Sequence, residues 1–142
     1  MAQREARLLQ VLVNVDVSNL DQGIAFYCRA LGLHLTRRLF QGSVAELRGA
    51  GVRLYLIEQA DGSDATPAGC RRDYREHWTP VHLDFVVDDL DAAVRRAIEA
   101  GAVAQPAQHA AWGSLVTLRD PFGHGVCLVS FNGAPPYEVG AT

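Results

Sequence analysis

A motif occurs twice in this chain, and the repeat restricts the fold more than any other feature. Val15-Asp16-Val17-Ser18-Asn19-Leu20-Asp21 opens the first half, and Phe85-Val86-Val87-Asp88-Asp89-Leu90-Asp91 opens the second, at a constant offset. Alternating apolar residues precede each copy, an amphipathic stretch follows it, and Leu31-Gly32 or Ala100-Gly101 ends it. Two copies are too few for a solenoid, which needs at least about three stacked repeats to bury a continuous core. The repeat therefore specifies two similar supersecondary units packed into one body. The surface they share is the first place to look for a site.

In the first unit, Val11, Val13, Val15 and Val17 share one face of an expected strand over residues 8–17, and Leu12, Asn14 and Asp16 share the other. Ser18 or Asn19 caps a helix that carries Ile24, Tyr27, Cys28 and Leu31 at helical spacing, and Gly32 stops it. Strands are expected over Leu33 to Phe40, Ser43 to Arg48 and Val52 to Glu58, separated by Gln41-Gly42 and Gly49-Ala50-Gly51. That order is β-α-β-β-β.

The second unit repeats it. Val81 to Val87 is a strand, and Asp88 or Asp89 caps a helix striped with Leu90, Ala93, Val94, Ala97 and Ile98. Strands near Ala102 to Pro106, Ser114 to Arg119 and Gly125 to Phe131 follow, the last two joined at Asp120-Pro121-Phe122-Gly123. The connection from Gln59 to Trp78 is long for a loop in a compact domain, which suggests a flap over a site; Arg71 to Trp78 reads as a short helix. The expected organisation is one domain: module one at about 8–58, a linker at 59–79, module two at about 80–131 and a Gly- and Pro-rich, mobile tail at 132–142.

Composition excludes several classes of function. Formal net charge is −3, so no basic field exists to attract nucleic acid. No apolar run approaches the roughly 18 residues of a membrane span, and Met1 to Arg7 does not read as a signal peptide. The three cysteines, Cys28, Cys70 and Cys127, are widely spaced and odd in number. They point to a reducing, cytoplasmic setting, not a disulfide framework.

Each helix needs an apolar partner, so the apolar strand faces are expected to pack beneath the helices. Leu12, Asn14 and Asp16 in module one, and His82, Asp84 and Val86 in module two, then face away. On the closing strands Val52, Leu54 and Leu56 point inward and Arg53, Tyr55 and Ile57 outward; Val126 and Leu128 point inward and Cys127 and Val129 outward. With the units curled together, these mixed faces would line one trough.

The chain resembles the vicinal oxygen chelate superfamily of glyoxalase I, bleomycin- and fosfomycin-resistance proteins and extradiol dioxygenases. The resemblance spans roughly residues 8–131. It rests on Val17-Ser18-Asn19-Leu20-Asp21 with Ile24-Ala25-Phe26-Tyr27, Leu31-Gly32-Leu33, His82 to Leu90, Trp112-Gly113 and Asp120-Pro121-Phe122-Gly123. It implies an α+β fold: two βαβββ modules forming a cupped mixed sheet, with helices on the outer face. It also implies positions for a divalent metal that chelates adjacent substrate oxygens, at Leu12 and His82 on opening strands and at Tyr55 and Cys127 on closing strands. Leucine offers no lone pair, and only His82 fits the family's ligand pattern.

The leading expectation is therefore a protein that binds a small, partly aromatic molecule without an intact family metal site. The lining would comprise Leu12, Asn14, Tyr55, His82, Asp84, Trp112 and Cys127. The alternative is a glyoxalase-type lyase or isomerase, or a dioxygenase-like enzyme, with a reduced or non-standard divalent-metal site at His82. There His82 or Asp84 would act as base and Tyr55 would donate to an oxyanion. A third reading is a regulatory module with a vestigial cup. Asp16 would need a neighbouring cation, Arg53 being one candidate, while His109 and His124 are expected in solvated turns. Isologous association to a homodimer is the expected assembly.

Overall fold

The structure, a computed structural model, describes residues 8–133. Module one contains β1 (Val13–Val17), α1 (Leu20–Leu31), β2 (His34–Leu39), β3 (Val44–Arg48) and β4 (Leu54–Glu58). Module two contains β5 (Leu83–Val86), α2 (Leu90–Ala100), β6 (Val103–Ala104), β7 (Gln108–Ala110), β8 (Gly113–Arg119) and β9 (Gly125–Phe131). The fold is α+β, with two mixed sheets ordered β1-β4-β3-β2 and β5-β9-β8-β6, β7 pairing with β8. Each opening strand runs parallel to its closing strand, a relation that requires a crossover connection. The other pairs are antiparallel.

The repeated motif sets both helix starts. Asn19 accepts from the Gln22 N–H at 2.9 Å and Asp89 from the Ala92 N–H at 3.1 Å, so the second of the two candidate caps is used each time. Caps of this kind contribute about 1 kcal/mol each. Gly32 and Gly101 end the helices at φ of 69° and 118°, backbone that costs glycine little.

The two helices pack against each other and against their own sheets. One core therefore runs through both modules, from Val17, Leu20, Leu47 and Leu56 to Ala97, Leu118, Phe122 and Leu128. A buried bond crosses the junction: the Tyr27 hydroxyl donates to Asp120 Oδ2 at 2.6 Å. Burial, then the Asp120 charge, pushes the Tyr27 phenol well above its ordinary range. Asp120 Oδ1 also accepts the N–H groups of Phe122 and His124, so the carboxylate folds the predicted turn and ties it to α1.

Several expectations change at element ends. β1 begins at Val13, leaving Val11 and Leu12 before the strand and exposed. Val52 precedes β4 and is 43% exposed instead of facing the helix. His82 sits one residue ahead of β5. The strand expected near Ala102 to Pro106 shortens to β6, since proline has no N–H to give the ladder, and β7 beyond it was not expected. The helix expected over Arg71 to Trp78 does not form. Its backbone bonds at long range instead, Arg72 with Ser63 and Gly62, and His77 with Gly123. The expected tail lies, apart from its first two residues, outside the described residues.

Candidate functional site

The repeat places the same rung in both sheets. In module one Asn14 pairs with Tyr55, Tyr55 with Glu46, and Glu46 with Arg37. In module two Asp84 pairs with Cys127 and Cys127 with Thr117. These side chains lie on the faces turned from the helices, as the alternation predicts.

Module one closes its rung on a buried carboxylate. Glu46 is 1% exposed. Its Oε1 accepts from the Thr36 hydroxyl at 2.9 Å and from Arg48 Nε at 3.2 Å. Its Oε2 accepts from the Tyr55 hydroxyl at 2.9 Å and from Arg37 at 3.1 and 3.2 Å. The Thr36 hydrogen bond, with those from Tyr55, Arg37 and Arg48, outweighs burial and lowers the Glu46 pKa to about 2. Tyr55 has thus committed its proton to a carboxylate ionised at any ordinary pH. The oxyanion-donor role expected for it is not available in this arrangement.

Module two leaves its rung open. His82 Nδ1 lies 2.9 Å from Asp84 Oδ1. A carboxylate only accepts, so the proton sits on Nδ1 and Nε2 of a neutral ring keeps its lone pair. Side-chain exposure is 32% for His82 and 47% for Asp84. One donor atom each from His82, Asp84 and Cys127 falls within 4.8 Å of the others. The Cys127 thiol is pushed up, chiefly by burial and also by Asp84, against a lowering contact with Thr117. It therefore stays protonated and is a poor nucleophile.

The linker supplies a lid for this rung. The Trp78 ring lies over His82 at a centroid distance of 4.6 Å and a tilt of 37°. Arg119 sits over the indole at 5.7 Å, a cation–π arrangement. Trp78 can take this position because residue 125 is glycine: a Cβ there would lie 2.1 Å from the indole Cε3. Gly123 plays a like part at φ of 80°, where a Cβ would meet the Arg75 carbonyl oxygen at 2.4 Å.

Asp16 is paired, but not by Arg53: Arg72 of the linker donates to it at 2.8 Å. Tyr74 donates to the Gln59 carbonyl at 2.7 Å. His124, expected in solvent, is half-buried between His77 and the Asp16 carbonyl. His109 is exposed and bonds Ser114.

The structure brings together His82, Asp84 and Cys127, but not the whole expected lining. No hydrogen bond, ion pair or ring contact among the described residues joins Leu12, Asn14 or Tyr55 to them. Trp112 stacks on Phe131 at 5.8 Å, and its neighbour Gly113 pairs with Phe131, at the other end of β9 from the Leu83–Val126 pair. A groove of about 490 Å3 does lie between the modules. Val13, Leu33, Leu54, Leu83 and Phe85 line it, and Asp84 alone of the candidates borders it. Most of its lining comes from the helix-facing side, including Ala30 and Leu31 of α1 and Ala93 and Arg96 of α2.

The metal positions implied by resemblance are Leu12, Tyr55, His82 and Cys127. Leu12 has no donor, and the Tyr55 hydroxyl is bound to Glu46. The donors that converge include Asp84, which is not among those positions.

Glu46, Arg72 and His124 were not identified from sequence as parts of this arrangement, and of Trp78 only a place in a flap was expected, not its contact with His82. Glu46 was legible in principle, since register counted back from the Gln41-Gly42 turn sets it opposite Arg37. The other three depend on where the linker runs, and no periodicity records that.

Two modules of one pattern, each with a polar strand face turned from its helix, define the class of α+β proteins built on a duplicated βαβββ unit. A family model described as a glyoxalase-like domain matches residues 12–129, and the chain belongs to that family, within the vicinal oxygen chelate superfamily. Among solved structures, it is similar to a glyoxalase/bleomycin resistance protein from Catenulispora acidiphila: 22% identity, 88% of this chain and 100% of that one, TM-score 0.61. It is similar to TnmS3, an antibiotic binding protein from a Streptomyces species: 22% identity, 92% and 100% coverage, TM-score 0.65. It is similar also to the fosfomycin resistance protein FosX from Listeria monocytogenes: 16% identity, 92% and 97% coverage, TM-score 0.66. No curated protein matches the chain. Identities this low establish the fold and leave the chemistry to the site.

Proposed function

We propose that the protein binds a small, partly aromatic molecule against the open rung of module two, without the metal site of its superfamily. The observation that carries this reading is the Trp78 ring seated over His82, beside Asp84 and Cys127. An indole supplies a flat apolar surface, while the His82–Asp84 pair supplies directional polar contacts. Asp84 favours a cationic or neutral guest. Leu12, Asn14, Tyr55 and Trp112 lie outside this cluster and join it only if a second copy brings another polar face opposite. We take a homodimer as the assembly that does so; β1 and β5 are each an edge strand of their sheet, as β2 and β6 are at the far sides. A cytoplasmic location agrees with the free cysteines.

A thermal-shift panel of cationic and aromatic compounds tests the reading. At least one compound is expected to raise Tm, and to do so after chelator treatment. A panel with no stabilising member would count against it.

The convergence of His82, Asp84 and Cys127 favours a second reading, a glyoxalase-type lyase or isomerase. Asp84 holds the His82 proton on Nδ1, which leaves Nε2 to take a proton from a carbon acid. Were Nε2 instead to bind a divalent ion together with Asp84 and Cys127, the ion would polarise a substrate carbonyl and His82 would not be the base. In this case His82→Ala abolishes turnover; unchanged turnover removes His82 from the chemistry.

A further inference from the structure

The two imidazoles that fasten the linker to the rest of the chain impose a proton count of their own. His77 Nδ1 lies 2.8 Å from the Arg75 carbonyl oxygen. His77 Nε2 lies 2.9 Å from His124 Nδ1. His124 Nε2 lies 2.6 Å from the Asp16 carbonyl oxygen. The rings meet edge-on, at 85°. Both ends of this chain are carbonyl oxygens, which can only accept, so both outer nitrogens must carry hydrogen. The central N···N contact needs a third. Two neutral imidazoles bring only two protons between them, so a fully bonded chain holds one extra proton and one positive charge.

We infer that His77 and His124 form a shared-proton staple that positions Trp78 over the ligand-binding rung, and that loss of this proton as pH rises releases the lid. The inference rests on the function proposed above. Trp78 follows His77 directly, and the same short stretch is fixed by the His77 N–H donating to the Gly123 carbonyl. When the extra proton leaves, one of the three contacts sets lone pair against lone pair, and the chain opens at that point.

The charges around the staple are already engaged. On the linker, Arg72 pairs with Asp16 of β1, and Arg75 pairs with Asp73. Glu76 lies 3.0 Å from Arg119 of β8. Tyr74 lies edge-on to His124 at 6.2 Å, with its hydroxyl bound to Gln59. In the turn, Asp120 accepts the His124 N–H and holds the Tyr27 hydroxyl. Asp73 is near enough for its charge and that of His77 to act on each other, but among the described residues no carboxylate is hydrogen-bonded to either imidazole ring.

The test uses the full chain with Trp112→Phe, so that Trp78 is the only tryptophan, compared with the same chain carrying His77→Ala. Trp78 fluorescence is followed from about pH 5.5 to 8, alongside nitrogen NMR of the histidine side chains. The expected result is three protonated nitrogens across the two rings at the acidic end. A single proton is then lost in step with a change in Trp78 emission, and that change is absent in His77→Ala. Circular dichroism confirms that the variant is folded. Two rings that titrate independently, or Trp78 emission with the same pH profile in both proteins, would overturn the inference. Both readouts are ligand-free, so a failed compound panel and a failed staple are separate results.

Discussion

Module one buries a carboxylate under five hydrogen bonds from four side chains, while the equivalent rung of module two leaves a histidine and an aspartate half in solvent. The sheets share caps, strand faces and the order of their four main strands, so the difference at this rung lies in its side chains and in the linker that roofs it. At matched positions Asn14, Tyr55 and Glu46 stand against Asp84, Cys127 and Thr117. The first set satisfies its polar atoms internally and has little left to offer a guest. The second is short of donors, keeps a lone pair on His82 and is roofed by an aromatic ring. The two copies have diverged in chemistry: one satisfies its polar groups within the sheet, and the other leaves them open.

Removing the carboxylate of the closed rung should have the largest effect on stability. Glu46→Ala strands Thr36, Tyr55, Arg37 and Arg48 without their acceptor, and Tm should fall by about 5 °C or more in calorimetry. Compound binding at module two should persist. If binding is lost while the fold survives, the two faces are not independent.

The same group predicts an acid limb. The Glu46 pKa is depressed to about 2, so its stabilisation is present above the unfolded value of about 4.3 and is lost as pH falls through the folded value. Urea midpoints should decline between about pH 4.5 and 2. In Glu46→Gln that part of the slope should vanish, and a slope unchanged in the variant would show that other carboxylates carry it.

Changing the roof of the open rung should cost binding more than stability. Trp78 is 46% exposed. Trp78→Ala should weaken a compound found by the panel about tenfold, roughly 1.4 kcal/mol, by titration calorimetry. Affinity within twofold of the parent would place the guest elsewhere. The smallest effect is expected at Thr117, whose hydroxyl lies 3.7 Å from the Cys127 sulfur. Thr117→Val should move stability by less than about 0.5 kcal/mol in urea melts, a weak contact exchanged for a methyl group.

Local rules made much of the fold legible. Alternating valines, caps at Asn19 and Asp89, stop glycines and the Asp120 turn each act within a few residues, so sequence order exposes them. The open rung was legible for the same reason: His82 and Asp84 share a strand face, and the duplicated register sets Cys127 beside Asp84. The contacts of Trp78, Arg72 and His124 were not, because these residues reach their partners through a linker whose path is set by long-range contacts. Leu12 and Trp112 lie apart from the His82 cluster within the chain for a related reason. Face alternation says which way a side chain points, but not where a strand begins or which end of the sheet it occupies.

The divergence between the modules is tested most directly by backbone and side-chain NMR shifts on adding a compound that raises Tm. The account predicts perturbations at Trp78, His82, Asp84 and Cys127, with Tyr55, Glu46 and Arg37 unmoved. Shifts centred on Glu46 and Tyr55, with His82 and Trp78 silent, would contradict it.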